Sequence, residues 1–233
     1  MKGVWRELAG LVLPVDCAGC GRPRTELCVK CLRALSRDGR GARRVRPRPV
    51  PAGLPRVWAG APYADEVRAV LLAHKERGAL RLARPLGTVL AGAVRGVGGG
   101  GGPLLLVPVP SARSAVAGRG HDPVRRIALA AAAELRREGA GVRVLALLRQ
   151  CRVVADQAGL NARQRLVNVA GALVVPGMAG RLLTGAPVVL VDDLMTTGAT
   201  LAEAARAVAT AGGRVVGAAV VAAPRGAFPV DGA

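Results

Sequence analysis

Residues 188–200 read VVLVDDLMTTGAT and place two adjacent aspartates directly behind an apolar run. The run 188–191 is short, continuous and rich in valine, which is typical of a strand buried on both faces of a parallel sheet. An alanine-rich stretch that begins near Leu201 predicts a helix. Asp192 and Asp193 repel each other and lose hydration if they are buried, so they need hydroxyl donors or cations close by.

The rest of the chain alternates between strand-like runs and helical patterns. Strands are predicted in LLLVPVP (104–110) and RVVGAAVVA (214–222), with VRVLAL (142–147) as a further candidate. Helical patterns cover 63–78, 79–95, 121–139 with Asp122 as the cap and Pro123 in the first turn, 160–169 with Asn161 as the cap, and 201–211. Strands that alternate with helices predict an α/β fold whose parallel sheet has helices on both faces.

The composition favours an anionic ligand. The 34 Lys and Arg residues against 15 Asp and Glu give a formal net charge of +19. Such a field attracts nucleic acids, membrane surfaces or phosphorylated small molecules. Aromatic residues make up only 2% of the chain, which argues against a groove that stacks the bases of a single strand.

The apolar stretches are too short to cross a membrane. The longest, near 8–14 and 104–110, are far below the ~20 residues that a spanning helix needs. The first of them is also shorter than the apolar region of a secretory signal, and no cleavage site follows it. We therefore expect a cytoplasmic protein.

A cysteine cluster near the start of the chain predicts a metal site. Cys17, Cys20, Cys28 and Cys31 form two CxxC pairs separated by seven residues. Four thiolates at this spacing suit a tetrahedral structural zinc ion, whereas paired disulfides or a redox-active dithiol are the alternatives. Cys151 has no such spacing to the others and is interpreted as a packing residue.

Changes in composition suggest three segments. Residues 1–38 form the N-terminal four-cysteine segment, which includes a short helix after Cys31. Residues 39–56 are rich in Arg, Pro and Gly without periodicity, and are interpreted as a basic linker. The α/β pattern occupies 57–233.

The paired aspartates and the loop behind them suit a ribose 5-phosphate. Ligands of parallel sheets bind beyond the carboxyl ends of the strands, where Asp192 and Asp193 lie. The next helix begins directly behind them, and its N–H groups and dipole favour a phosphate. The acids would bind sugar hydroxyls, so that no protein cation is needed. The loop residues that would bind the phosphate are Thr196, Thr197, Gly198, Ala199 and Thr200.

This stretch resembles the phosphoribosyl-pyrophosphate (PRPP) motif of type I phosphoribosyltransferases. More of the chain resembles one branch, the competence-associated ComF/GntX family: the cysteine pairs, LLLVPVPSARSAVAGRGHD (104–122) and LLRQCRVVADQAGLNARQRLVNV (147–169). The resemblance implies a Rossmann-like type I phosphoribosyltransferase fold over 57–233, behind a small zinc ribbon. It also implies PRPP with Mg²⁺ as the ligand and one zinc ion rather than two, because Arg and Pro occupy the place of a second cysteine pair.

The resemblance also assigns residues. Asp192 and Asp193 become the catalytic acids, and the loop after 104–110 becomes the pyrophosphate site. That loop offers Ser111, Arg113, Arg119 and Gly120, and a connection with Arg149, Gln157, Arg163 and Arg165 would cover the ligand. Where many members have RGFNQ this chain has RGHDP, and Asp122 suits a pyrophosphate site only if it points away as a helix cap. Lys75 matches a recurrent lysine that would reach the phosphates, although a surface lysine is the simpler interpretation.

Three hypotheses for the function remain open. The first is an enzyme that transfers phosphoribosyl from PRPP to an unidentified nitrogenous base. The second is a PRPP or nucleotide sensor without turnover, acting in DNA uptake or DNA metabolism with DNA or a DNA-processing protein as its partner. The third is a zinc protein that binds DNA mainly through contacts with the phosphate backbone of the DNA. A homodimer is left open in each case.

Overall fold

The computed structural model describes residues 16–36, 41–98, 102–111, 120–155, 159, 161–183 and 185–229. The strands are β1 (Arg43–Val45), β2 (Val57–Pro62), β3 (Leu104–Pro108), β4 (Val142–Val144), β5 (Arg149–Gln150), β6 (Leu173–Val174), β7 (Val188–Leu194) and β8 (Val215–Ala223). The α-helices are α1 (Val29–Leu35), α2 (Asp65–Glu76), α3 (Ala83–Val97), α4 (Pro123–Arg137), α5 (Ala162–Val169), α6 (Gly177–Gly180) and α7 (Ala199–Thr210). Short 3₁₀ turns cover Leu80–Leu82, Arg181–Leu183 and Arg225–Ala227.

Six of these strands form one sheet in the order β1-β2-β8-β7-β3-β4. The edge strand β1 runs antiparallel to β2, and the other neighbours are parallel. The carboxyl ends of β2, β8, β7 and β3 therefore meet at one edge of the sheet. A separate antiparallel hairpin joins β5 to β6.

Strand β7 lies in the middle of the sheet, and its side chains alternate between two cores. Val189 and Val191 pack in the cluster that α2, α3 and α4 form on one face. Val188 and Leu190 pack in the cluster that α7 forms on the other face. Burial on both faces explains why the run is continuously apolar, and it confirms the predicted α/β fold with helices on both sides of a mainly parallel sheet.

Strand β7 is longer than the sequence indicated. It continues through Leu194, so both aspartates lie within the strand rather than behind it. The alternation places Asp193 on the face of α2, in line with Val189 and Val191. Each aspartate therefore meets a different set of neighbours.

The segment predicted as a basic linker contributes to the sheet. Arg43–Val45 forms β1, and the Arg46 N–H donates a hydrogen bond to the Ala227 carbonyl over 2.8 Å. Three residues are too few for alternation to stand out in an arginine-rich run, which is why the strand was not predicted. The boundaries 1–38, 39–56 and 57–233 stay a prediction, and residues 1–15 and 37–40 lie outside the described residues.

Among the described residues, no helix combines the length and hydropathy of a membrane-spanning segment.

Candidate functional site

A cavity of about 380 Å³ opens where the carboxyl ends of β3 and β7 meet. Its polar lining consists of Lys75, Ser111, Gln150, Asp192, Asp193, Thr196 and Thr200. Its apolar lining consists of Val109, Pro110, Val124, Val154, Ala155, Val169, Ala172, Leu173 and Leu194. The fold brings the predicted aspartates and Ser111 to one cleft together with Thr196 and Thr200 of the predicted loop, whereas Ala199 of that loop lines another groove.

A larger groove of about 660 Å³ lies between α5 and α7, and neither aspartate lines it. Most of its lining is alanine, valine and leucine, and its charged residues Glu203 and Arg206 pair with each other. Size alone would favour this groove. The smaller cleft is the better site because it gathers several unlike polar groups at the end of a parallel sheet.

Asp193 is paired with a lysine. Lys75, in the last turn of α2, places its Nζ 2.9 Å from Asp193 Oδ2. The Asp193 side chain is only 7% exposed, so the pair is largely withdrawn from water. The expectation that sugar hydroxyls alone satisfy the acids is therefore wrong, because a protein cation already neutralises one of them.

The environment keeps Lys75 charged. Burial alone would lower the pKa of Lys75, but the charges of Asp193 and Asp192 and the hydrogen bond to Asp193 raise it above its ordinary value. Lys75 also lines the cleft, and 35% of its side chain remains exposed. It is thus neither a simple surface lysine nor an isolated phosphate ligand.

Asp192 has a different environment from its neighbour. Its Oδ1 accepts a hydrogen bond from the Asp193 backbone N–H over 2.8 Å, and its side chain is partly open to the cleft. Burial among protein atoms and the adjacent Asp193 charge raise the pKa of Asp192 well above its ordinary range, although Lys75 opposes the shift. A ligand that offers hydroxyl donors would relieve this charge.

His74 fixes the end of α2 beside the site. The ring is buried, with Nδ1 3.3 Å from the Ala79 carbonyl and Nε2 3.4 Å from the Pro123 carbonyl. Burial lowers the pKa of His74, so the neutral ring is favoured and one nitrogen donates at a time. These contacts tie α2 to the start of α4 and hold the neighbouring Lys75 in place.

The threonine loop leads from β7 into α7 as predicted. Gly198 is the N-cap residue with φ of +80°, and the Ala202 N–H donates to its carbonyl over 2.9 Å. A Cβ at Gly198 would lie 3.0 Å from both methyl groups of Leu54, so the position also requires a small residue. No acidic residue stands in the first turn of α7, which leaves the positive end of the helix dipole to a phosphate.

The predicted pyrophosphate loop is described in part. Ser111 lines the cleft and Gly120 has φ of +71°, whereas Arg113 and Arg119 lie outside the described residues. Asp122 caps α4 by accepting a hydrogen bond from the Arg125 N–H over 3.0 Å. Its carboxylate therefore binds its own helix end, which is the condition under which this departure from RGFNQ suits an anion site.

The hairpin of β5 and β6 forms one wall of the cleft through Gln150 and Leu173. Glu203 of α7 accepts from the Leu173 N–H over 3.0 Å, and Arg206 donates to the Leu173 carbonyl over 2.9 Å. Glu203 and Arg206 also pair with each other over 2.7 Å. Helix α7 thus holds both the threonine loop and the facing wall of the cleft.

The described arginines of the predicted cover lie on two elements, Arg149 on β5 and Arg163 and Arg165 on α5. Arg149 donates to the carbonyls of Ala146 and Leu148, beside its own position in the chain. Arg163 is exposed on α5, Arg165 is half-buried there, and Gln157 lies outside the described residues. Sequence reasoning did not identify Gln150 or the Glu203–Arg206 pair, although two charges three residues apart in an alanine-rich helix are a usable signal.

The four predicted cysteine ligands come together. The Sγ atoms of Cys17, Cys20, Cys28 and Cys31 all lie within 4.8 Å of one another, and none forms a disulfide. Cys20 and Cys28 are 3.6 Å apart, close to the ~3.8 Å edge of a tetrahedron with Zn–S bonds of about 2.3 Å. Although burial opposes it, hydrogen bonds from backbone N–H groups lower the pKa of Cys17 to about 6, which favours a thiolate. The donor set fits a structural zinc ion.

The cysteine segment is docked on α2, the helix that carries Lys75. Lys30 pairs with Glu66 over 3.1 Å at the start of α2, and Glu26 pairs with Arg81 over 3.2 Å behind its end. Leu35 of α1 is fully buried in the core cluster that contains Val70 of α2. The segment thus contacts the start of α2 at Glu66 and, at Arg81, the 3₁₀ turn that follows the end of α2.

Comparison with known families identifies the domain. A model of the phosphoribosyl transferase domain matches residues 126–231, slightly less than half of the chain. The match includes the aspartate pair and the threonine loop. The comparison with curated proteins found no match to this chain. Residues 126–231 are therefore similar to a phosphoribosyl transferase domain, and both the PRPP site and the closer resemblance to the ComF/GntX family stay predictions.

Proposed function

We propose that the protein binds PRPP with Mg²⁺ in the cleft and transfers its phosphoribosyl group to a nitrogenous base. The observation that carries this proposal is the meeting of the aspartate pair with the threonine loop at the carboxyl end of β7, within the region that matches the phosphoribosyl transferase domain. Carboxylates beside a helix N-terminus complement a sugar hydroxyl pair and a 5-phosphate.

Each part of the ligand has a candidate partner. Asp192 and Asp193 orient the ribose hydroxyls, and residues 196–200 bind the 5-phosphate. The pyrophosphate is assigned to the loop with Ser111, Arg113, Arg119 and Gly120. Glycosyl transfer of this kind depends on positioning and charge stabilisation, since the anomeric carbon gains positive character as pyrophosphate leaves.

The carboxylates of the cleft suit a magnesium ion that is bound through the substrate. Mg²⁺ keeps several waters and takes one or two carboxylates together with phosphate oxygens. Here one of the two carboxylates is already held by Lys75, which leaves few protein oxygens for a dedicated metal cage. When bound, Mg²⁺ would neutralise the pyrophosphate and make it a better leaving group.

A second candidate is a PRPP or nucleotide sensor without turnover. The lining of the cleft contains no aromatic side chain in the described part of the chain, so nothing there stacks an acceptor base. A role in DNA uptake would fit the exposed arginines Arg44, Arg46 and Arg48, which alternate with buried residues along the sheet edge around a cavity of about 350 Å³. Enzyme and sensor differ in whether any base causes release of pyrophosphate.

Calorimetric titration of the zinc-loaded protein with PRPP, with and without Mg²⁺, tests the proposal. We expect Mg²⁺-dependent binding that Asp192→Asn/Asp193→Asn loses. Gly198→Ala places a Cβ against Leu54 at a positive φ, so the loop must shift. The loss of one hydrogen bond to the charged phosphate should weaken binding by roughly tenfold or more. Gly212→Ala is its matched control, because Gly212 has φ of +81° but open space around its Cβ position and lies behind α7.

The outcomes separate the candidates. Binding followed by pyrophosphate release with one of a panel of bases supports the enzyme, and binding without release supports the sensor. No binding to the intact protein contradicts both. DNA binding that falls steeply with salt and survives loss of the aspartates would favour the third hypothesis.

A further inference from the structure

The cleft presents a charge problem that the proposed ligand makes worse. PRPP is a polyanion, yet two adjacent carboxylates line the cavity that would receive it. Asp193 is nearly buried, where an unpaired charge is costly. A second role for Lys75, besides stabilising the fold, follows because Lys75 pairs with Asp193 and lines the same cavity as both acids.

The contact of Lys75 with Asp193 is specific. Its Nζ lies 2.9 Å from Oδ2, so the ammonium engages one of the two carboxylate oxygens. The neighbouring His74 anchors this end of α2, because its ring nitrogens face the Ala79 and Pro123 carbonyls. The lysine also lies in the last turn of α2, where the helix dipole favours a cation.

We propose that Lys75 is a positioning residue that binds Oδ2 of Asp193, neutralises one charge of the acid pair and directs Oδ1 toward a ribose hydroxyl. Asp192 then remains as the second acid that faces the sugar. This inference rests on the proposed function, since it concerns how the same cleft accepts PRPP. It differs from a direct contact between Lys75 and a phosphate, in which Asp193 would play no part.

A double-mutant cycle distinguishes these roles. Lys75→Met leaves Asp193 with an uncompensated charge, and Asp193→Asn offers amide hydrogens either to the ammonium or to the sugar. Each single variant should weaken PRPP binding by roughly tenfold or more. The double variant Lys75→Met/Asp193→Asn removes both charges and keeps Oδ1 as an acceptor, so it should bind roughly tenfold more tightly than either single variant.

The control is Lys30→Met, which removes the other described lysine that pairs with a carboxylate. Its partner Glu66 lies at the start of α2 and does not line the cleft, and the Lys30 side chain is 71% exposed. This variant should bind PRPP as tightly as the unmodified protein. A loss equal to that of Lys75→Met would show that any disturbance of α2 suffices, and would overturn the positioning role.

Two further outcomes are decisive. If Lys75→Met weakens PRPP binding by the same factor whether residue 193 is Asp or Asn, the lysine contacts the ligand directly. The inference is then wrong. If Lys75→Met is too unstable to purify, Asp193→Asn and the double variant still decide, because the inference requires the double variant to bind more tightly.

The same variants are compared by thermal unfolding without ligand, which keeps this inference apart from the proposed function. The unfolding cycle could show coupling between Lys75 and Asp193 although the unmodified protein binds no PRPP. That result would contradict the proposed function but would still support the ion pair in the ligand-free protein. PRPP binding by the unmodified protein without rescue in the double variant would contradict the inference alone.

Discussion

Asp192 occupies a place that disfavours its own charge. Burial and the adjacent Asp193 raise the pKa of Asp192 well above its ordinary range. Between the ordinary and the raised pKa, the folded protein binds a proton that the unfolded chain does not. The free energy of unfolding therefore falls as the pH rises through this interval, and above it the folded state bears the full cost of the charge.

Replacement of Asp192 by asparagine should stabilise the ligand-free protein at neutral pH. Because the charge is removed, Tm of Asp192→Asn should exceed that of the unmodified protein by a few degrees at pH 7 to 8. The two should converge toward about pH 4, near the ordinary pKa of an aspartate. Thermal unfolding by circular dichroism across this range provides the measurement.

Asp122→Asn is the control for this prediction. Asn and Asp cap helices equally well, so the bond from the Arg125 N–H is kept and Tm should stay within about 2 °C. A lower Tm for Asp192→Asn at every pH would show that its bond from the Asp193 N–H outweighs the cost of the charge. A gain in stability is expected at a proposed ligand site, because ligand binding requires the carboxylate whereas folding does not.

Among the elements, α7 combines two tasks through a buried carboxylate. Its start carries the threonine loop, and Glu203 with Arg206 holds Leu173 on the facing hairpin. Burial alone would raise the pKa of Glu203, but the hydrogen bonds from Arg206 and from backbone N–H groups lower it. Glu203 therefore stabilises the fold above the ordinary glutamate pKa, and this contribution is lost as the pH falls through the lowered value.

Glu203→Gln should lower the free energy of unfolding by about 1–2 kcal/mol at neutral pH, since a charged hydrogen-bond network becomes a neutral one. The difference from the unmodified protein should shrink as the pH falls below about 4.3, the ordinary glutamate pKa. Urea unfolding at a series of pH values measures both effects. Hydrogen exchange at the Leu173 amide would show whether the hairpin opens.

Glu134→Gln is the matched control, because Glu134 and Arg137 form the same i,i+3 pair on α4, where Arg137 is mostly exposed. Exposed pairs of this kind contribute little, so the variant should change stability by less than about 0.5 kcal/mol. Equal effects of the two substitutions would mean that the contact with Leu173 contributes nothing. A constant difference at all pH values would contradict the role assigned to the Glu203 charge.

The elements also show what sequence can and cannot predict. Strand β7 and helix α4 were predicted because burial on two faces and an Asp-Pro start leave strong local patterns. Strands β1, β5 and β6 have two or three residues each, which is too short for periodicity. The Lys75–Asp193 pair joins positions 118 residues apart, and no local pattern selects that partner among 34 basic side chains.

At the scale of the whole molecule, the cysteine segment and the cleft share one helix. The segment contacts α2 at Glu66 and behind its end at Arg81, and α2 carries His74 and Lys75 to the cleft. Four clustered thiols without a metal would leave this segment with a core of three cysteines and Leu27. A zinc ion would therefore stabilise the support of α2 as well as the segment itself.

Removal of zinc should accordingly loosen the cleft. Structural zinc sites contribute several kcal/mol, so a chelator or Cys31→Ser should lower Tm by roughly 10 °C or more. Metal analysis should give one zinc ion per chain before treatment and none afterwards. Amides of α2 should exchange faster with solvent after zinc removal, because α2 loses the support of the cysteine segment.

Cys151→Ser separates the loss of metal from the loss of a thiol. Cys151 is exposed, its thiol donates to the Gly171 carbonyl over 3.2 Å and it is not one of the four clustered cysteines, so zinc content and Tm should be unchanged. If Cys31→Ser releases zinc but α2 exchanges as before, the segment is an independent unit that does not support the cleft. If α2 exchanges faster and PRPP binding weakens in the same variant, the cleft depends on the four cysteines. The reason is that α2 connects the cysteine segment to the cleft.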